Sequence, residues 1–205
     1  MRDRETDRVS NMLGALLMQL GCRISGVVHA AGRRDAFAGA LTVGGADAVI
    51  GIGGTGQGWN DEAVDVLVAV GEIAFHGIGL HPGETTAVGY VEGRPVVLLP
   101  GMPLAAFVGA DLIAARLVRR LSGASGERFR ATWRGVLTRK VSSRLGRVEI
   151  CRVRCEGDLV EPIAVADGST LATAVRADGF IAIPASSEGV GAGEEVSVIL
   201  YDCNP

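Results

Sequence analysis

A change of hydrophobic period in mid-chain constrains the fold more than any single motif. From residue 7 to residue 121, apolar positions alternate between helical spacing and short strand-like runs. Met12, Leu13, Leu16, Leu17 and Leu20 share one helical face, and Gly21 ends it. Cys22 to Val28 reads as a strand, and Asp35 as the cap of a helix carrying Phe37 and Leu41. Ala46 to Ile52 is a short apolar run of the kind buried in a parallel sheet. A helix from about Asn60 to Val70 follows, then strands at 75–80, 86–91 and 96–99, and a long helix from Leu104 to Leu121. Such alternation predicts an α/β sandwich. After Ser122-Gly-Ala-Ser-Gly126 the helical spacing stops. Residues 130–141, 148–155, 159–165, 179–183 and 195–201 are short β-rich runs between turns such as Gly157-Asp158 and Asp167-Gly168. That pattern predicts a small β domain with no helix. The expected division is 1–125 and 126–205.

The charge follows the same division. The chain of 205 residues has a formal net charge of −3, but residues 116–154 carry 12 basic and 2 acidic side chains, and residues 155–205 carry 1 basic and 9 acidic. The basic block has only Phe129 and Trp133 as aromatics, which argues against a nucleic-acid surface. Arg147, Arg152 and Arg154 alternate with apolar positions, so they read as a solvated sheet face. That face would pair across strands with the acidic segment or meet a small anion. Arg outnumbers Lys 19 to 1, which suits planar recognition of oxyanions. No apolar run reaches the roughly 18 residues of a membrane span. The charged N-terminus shows no signal peptide, and four scattered cysteines read as small buried hydrophobes, so a cytoplasmic location is expected.

The richest local signal is Gly51-Ile-Gly-Gly-Thr-Gly-Gln-Gly58. Glycines let backbone N–H groups turn toward an anion and let it approach closely. The helix beginning near Asn60 adds a favourable dipole. Residues 51–56 also match the dinucleotide pattern G-x-G-x-x-G, although a dinucleotide-binding helix should open inside that motif. Asp61 is placed either to hold Mg²⁺ facing phosphates or simply to favour a first helical turn. His81-Pro-Gly-Glu84 and Pro100-Gly-Met-Pro103 are tight turns after strands, where a parallel sheet presents its ligand-facing loops. Pro103 suits a first helical turn. His29, His76 and His81 lack metal-ligand spacing, and His76 reads as packed or solvent-facing.

Taken in order, these segments resemble the C-terminal half of the MoeA and gephyrin family of molybdopterin molybdotransferases. The resemblance runs through Leu17 to Gly21, ADAVIGIGG at 46–54, Gly71-Glu-Ile-Ala-Phe-His76, His81-Pro-Gly83 and Leu99-Pro-Gly-Met-Pro103. It continues through Ser143 to Arg154, Arg176-Ala-Asp-Gly179 and Gly193-Glu-Glu-Val196. It implies a three-layer α/β domain of the molybdopterin-binding type with a mostly parallel sheet, then a β-barrel-like domain. The implied chemistry is Mg²⁺-dependent cleavage of adenylyl-molybdopterin coupled to molybdate insertion, carried out by a homodimer working with other molybdenum-cofactor biosynthesis proteins. On this resemblance Gly53, Gly54, Thr55, Gly56 and Gly58 bind the pterin phosphate or nucleotide, and Asp61 is the catalytic or metal-binding carboxylate. His81, Pro82, Gly83, Pro100, Gly101 and Pro103 shape the molybdate and pterin pocket, and Arg147 and Arg152 face it.

Several positions depart from the family pattern. Thr55-Gly56 stands where the family loop reads GGVSVG and is closer to the GGTG of the related adenylyltransferase branch. The family's two lysines around the first Pro-Gly are His81 and Glu84, and Glu84 repels oxyanions. The usual Asn and Ser of the second turn are Met102 and Ala105. The family's N-terminal half and the first strand of this α/β domain have no counterpart here, which leaves room for a non-catalytic molybdopterin-binding or interaction module.

Overall fold

The computed structural model describes residues 7–30, 33–59, 61–124, 129–164 and 171–201. Asn60, part of the 122–126 junction, the Asp167-Gly168 turn and Cys203 lie outside the described residues. The chain forms two compact units, one holding Met1–Ile78 and Gly83–Arg128, the other Gly79–Pro82 and Phe129–Pro205.

The first unit begins with α1 (Arg8–Gln19) and α2 (Arg34–Thr42). Asp7 caps α1, its carboxylate accepting from the Ser10 N–H at 3.0 Å and the Ser10 hydroxyl at 2.6 Å. Helix α2 has no side-chain cap at its start: Arg33 occupies the cap position and Asp35 lies in the first turn. At its other end the Arg94 guanidinium donates to the Leu41 and Val43 carbonyls, which satisfies groups the helix leaves open. There follow β1 (Val49–Ile52), α3 (Ala63–Val70), β2 (Glu72–His76), β4 (Ala87–Val91) and β5 (Arg94–Leu99), with β3 (Leu80–His81) lying in the other unit. Helix α4 (Pro103–Gly109) opens on Pro103 as expected, and runs through a π turn at Ala110–Ala114 into α5 (Ala115–Leu121).

The four strands order as β1-β5-β4-β2. Only β1 and β5 pair in parallel; β5–β4 and β4–β2 are antiparallel, so the sheet is mixed and not mostly parallel. The reason is the short Glu92-Gly93 connection, with φ of +51° and +76°, which turns β4 straight back into β5. Strand β5 is the centre of the unit. Its apolar run buries Val96 and Leu98 on one face with Leu41, Val66 and Leu67, and Val97 and Leu99 on the other with Leu13, Ala106 and Ala110. Complete burial of each such side chain contributes about 1.5–3 kcal/mol. The expected strand at Cys22–Val28 is irregular chain without a ladder partner among the described residues, and Val27 and Val28 are exposed.

The second unit contains β6 (Thr132–Leu137), β7 (Val141–Ser142), β8 (Val148–Glu156), β9 (Leu159–Ala164), α6 (Leu171–Val175), β10 (Gly179–Ile183), β11 (Gly189–Val190) and β12 (Glu195–Leu200). Five strands close in the order β10-β12-β6-β9-β8, with β8 pairing back onto β10, which is the barrel-like sheet expected. Leu137, Cys151, Val153, Val160, Ile181 and Val198 fill its interior. Helix α6 was not expected from the sequence. Thr173 on it accepts from Arg152 Nε at 3.1 Å. Arg152 is buried and not on a solvated face, whereas Arg154 is exposed.

Candidate functional site

The glycine-rich loop leaves the sheet in register. Gly53 donates its N–H to the Leu99 carbonyl at 2.9 Å, which prolongs the β1–β5 pairing by one bond. Gly53 and Gly54 then take φ of +88° and +70°, a left-handed region that side chains with a β-carbon avoid. The Gly54 carbonyl accepts from Ala63 N–H at 2.9 Å, tying the loop to the first residue of α3. Asp61 closes the far side. Its N–H donates to the Gly58 carbonyl at 2.9 Å, and its Oδ2 accepts from the Gly58 N–H at 2.8 Å. A β-carbon added at Gly56 would lie 2.5 Å from that carboxylate oxygen, so glycine is what lets Asp61 rest on the loop.

The loop then runs along one end of the sheet. A β-carbon on Gly101 would lie 3.3 Å from the Gly53 α-carbon, so the turn after β5 abuts the loop. Thr55 is 2% exposed, with its hydroxyl 2.8 Å from the Thr85 hydroxyl just before β4. Its carbonyl lies 3.0 Å from Nε2 of His76, the last residue of β2. The loop thus meets the ends of β5, β4 and β2 in turn. Beside it, the Gly83 carbonyl accepts from the Thr86 N–H at 3.0 Å and from the Thr86 hydroxyl at 2.7 Å. The Gly83 N–H is held by Glu84 Oε2 at 2.8 Å.

The fold therefore brings together Gly53, Gly54, Thr55, Gly56, Gly58 and Asp61 with Gly101 between Pro100 and Pro103, and sets Gly83 close by through Thr85. His81, Pro82, Arg147 and Arg152 belong to the second unit. There Arg147 lies 3.1 Å from the buried Glu149 carboxylate, and His81 Nε2 lies 3.9 Å from its other oxygen. Arg152 also donates to the Ile150 carbonyl at 3.1 Å, and burial pushes its guanidinium below its ordinary pKa. Among the described residues no group of three or more His, Cys, Asp or Glu could hold a metal ion. The residues at the loop fit Mg²⁺ only as an ion shared with a phosphate, through the single Asp61 carboxylate.

Two residues at this site were not legible as such. His76 lacks metal-ligand spacing, and although it closes a segment of the family resemblance, its place at the loop shows only in its contact with Thr55. Trp59 lies at the loop's end with its side chain fully exposed, a signal that appears only once solvent exposure is known. Helix α3 begins at Ala63, beyond Gly56, so the glycine N–H groups are not the helix N-terminus that the dinucleotide pattern calls for.

The family described as "Probable molybdopterin binding domain" matches residues 2–120, and the MoeA C-terminal region (domain IV) matches residues 134–201. The chain belongs to the MoeA family. A Methanocaldococcus jannaschii protein named for molybdopterin biosynthesis is 32% identical over 154 residues, 75% of this chain and 36% of that protein. The molybdopterin molybdenumtransferase of Staphylococcus aureus is 27% identical over 161 residues, 76% of this chain and 38% of that enzyme. A molybdenum cofactor biosynthesis protein from Pyrococcus furiosus superposes with a TM-score of 0.68 at 27% identity, covering 96% of this chain and 64% of that one. This MoeA-family chain thus spans little more than a third of the curated relatives it matches. No described helix is long and apolar enough to cross a membrane.

Proposed function

We propose that this chain serves molybdenum cofactor biosynthesis by binding the phosphate-bearing part of molybdopterin, or of adenylyl-molybdopterin, on the loop 53–58. The observation that carries this is the meeting of the loop with the turns at Gly83–Thr86 and Gly101 at one end of a single sheet. Gly54 and Gly56 supply backbone N–H groups, those of Gly53 and Gly58 being taken by Leu99 and Asp61, and Gly101 leaves room for close approach. Pro100 and Pro103 fix the second turn. His81, Pro82 and Arg147 are proposed, on the resemblance alone, as anion-binding residues of the second unit, whereas Arg152 is buried with its guanidinium donating to Ile150 and Thr173. Mg²⁺, when bound with the substrate at Asp61, would neutralise phosphate charge. The proposed activity is that of the named relatives, molybdenum transfer to molybdopterin, with a homodimer in the cytoplasm as its working form.

Titration calorimetry with molybdopterin, or with AMP plus Mg²⁺, tests the binding. Saturable heat supports it, and no heat with either ligand removes it. Asp61→Asn keeps an acceptor for the Gly58 N–H and loses the charge, whereas Asp61→Ala loses both. Cleavage abolished in both variants, with AMP binding kept in Asp61→Asn, identifies the charge as the working feature. Glu84 favours a second reading, a module that binds without turnover: its carboxylate occupies the Gly83 N–H that an oxyanion would otherwise take. Wild-type binding without cleavage of adenylyl-molybdopterin would establish that reading.

A further inference from the structure

We infer that His76 is a positioning residue that aims the Gly56 N–H at the ligand, an inference that rests on the proposed binding at loop 53–58. A loop with four glycines among six residues has little intrinsic preference for one shape. Thr55 is its one buried side chain, and Thr55 is held twice: by the Thr85 hydroxyl and, through its carbonyl, by His76 Nε2 at 3.0 Å. A carbonyl only accepts, so Nε2 must carry the proton in this contact. The peptide joining Thr55 to Gly56 is planar and trans, so its N–H points opposite to its carbonyl. With the carbonyl drawn to His76, the Gly56 N–H is turned the other way, and among the described residues no carbonyl or carboxylate accepts from it. His76 ends β2 and Thr55 follows β1, strands at opposite edges of the sheet. The contact therefore pins the loop across the whole end of the sheet, where a free glycine chain would sample many directions.

The test compares wild type, His76→Ala, His76→Phe and His76→Gln by calorimetry with AMP and Mg²⁺, alongside ¹⁵N spectra of each. Loss of one such hydrogen bond is expected to weaken AMP binding about five- to tenfold in His76→Ala and His76→Phe. Gln retains an N–H donor, so His76→Gln is expected to recover most of the affinity. Unfolding midpoints should be alike in all four, because His76 is exposed. In wild type the ring should show the Nε2-protonated tautomer, and His76→Ala should shift the Gly56 amide resonance. If wild type binds AMP and His76→Ala binds it equally well, the positioning role is overturned while the binding site stands. If wild type binds neither AMP nor molybdopterin, the site fails, and the tautomer and the Gly56 resonance decide the contact separately. A ring protonated only on Nδ1, or an unmoved Gly56 resonance, overturns it.

Discussion

The loop end of the first unit and the closed sheet of the second bury polar groups in opposite ways. In the first, the buried polar side chains next to the loop are Thr55 and Thr86, neutral hydroxyls that fix turns at an open sheet end. In the second, they are Glu149 and Arg152, charged side chains buried along β8 of a closed five-stranded sheet. A hydroxyl contributes about 1 kcal/mol through one hydrogen bond, whereas removing one member of a buried charged network costs several. The difference teaches where change is tolerated. The loop end of the first unit can be altered in shape at small cost in stability, while the second unit is held by groups whose loss is felt throughout it.

The largest effect that could break this comparison is at Arg152. Arg152→Leu leaves the Ile150 carbonyl and the Thr173 hydroxyl without their donor, and is expected to cost about 2–4 kcal/mol. Urea unfolding followed by Trp133, which lies in the second unit, reads this directly. A loss below about 0.5 kcal/mol would remove the contrast. Gly56→Val is the complementary change: its side chain displaces the Asp61 carboxylate from the loop. AMP affinity is expected to fall about tenfold or more while the unfolding midpoint moves by only about 2 °C. A large drop in the midpoint with binding intact would reverse the assignment of roles.

Smaller effects sharpen the picture within each unit. Asp7→Ala removes the cap of α1 and is expected to cost about 1 kcal/mol at neutral pH. The Ser10 hydroxyl and N–H hold the Asp7 carboxyl below its ordinary value. Its contribution is therefore complete above the unfolded carboxyl's pKa near 4 and lost as pH falls through the lower folded value. The deficit of the variant should shrink in the same acid range, and a deficit unchanged down to about pH 2 would exclude the charged cap. Least visible is Cys151, whose thiol burial pushes up to about 11. It should resist alkylation at pH 8 in folded protein and react once urea opens the second unit. Prompt labelling of Cys151 in the native state would show that the barrel interior is open to solvent.

The sequence disclosed the loop, both turns and the change to a β domain, because glycine, proline and local periodicity leave their mark on neighbouring residues. It did not disclose features set by distant partners. Val88 and Val97 belong to antiparallel neighbours because of the tight Glu92-Gly93 turn, a matter of two residues that the apolar runs hide. Arg152 alternates like a surface residue, yet it is buried and bonded to Thr173, 21 positions on. The Cys22–Val28 run has strand composition but no ladder partner among the described residues. His76 shows the limit most clearly, since its role depends on a loop 21 positions away in sequence.

The most direct test of the central claim is a titration of ¹⁵N-labelled protein with AMP and Mg²⁺, followed through the backbone amides. Saturable shifts concentrated at Gly53, Gly54, Gly56 and Gly58, with one ligand bound per chain, are the expected result. Absence of shifts in the loop with AMP and with molybdopterin alike, or shifts confined to residues away from it, would contradict the account.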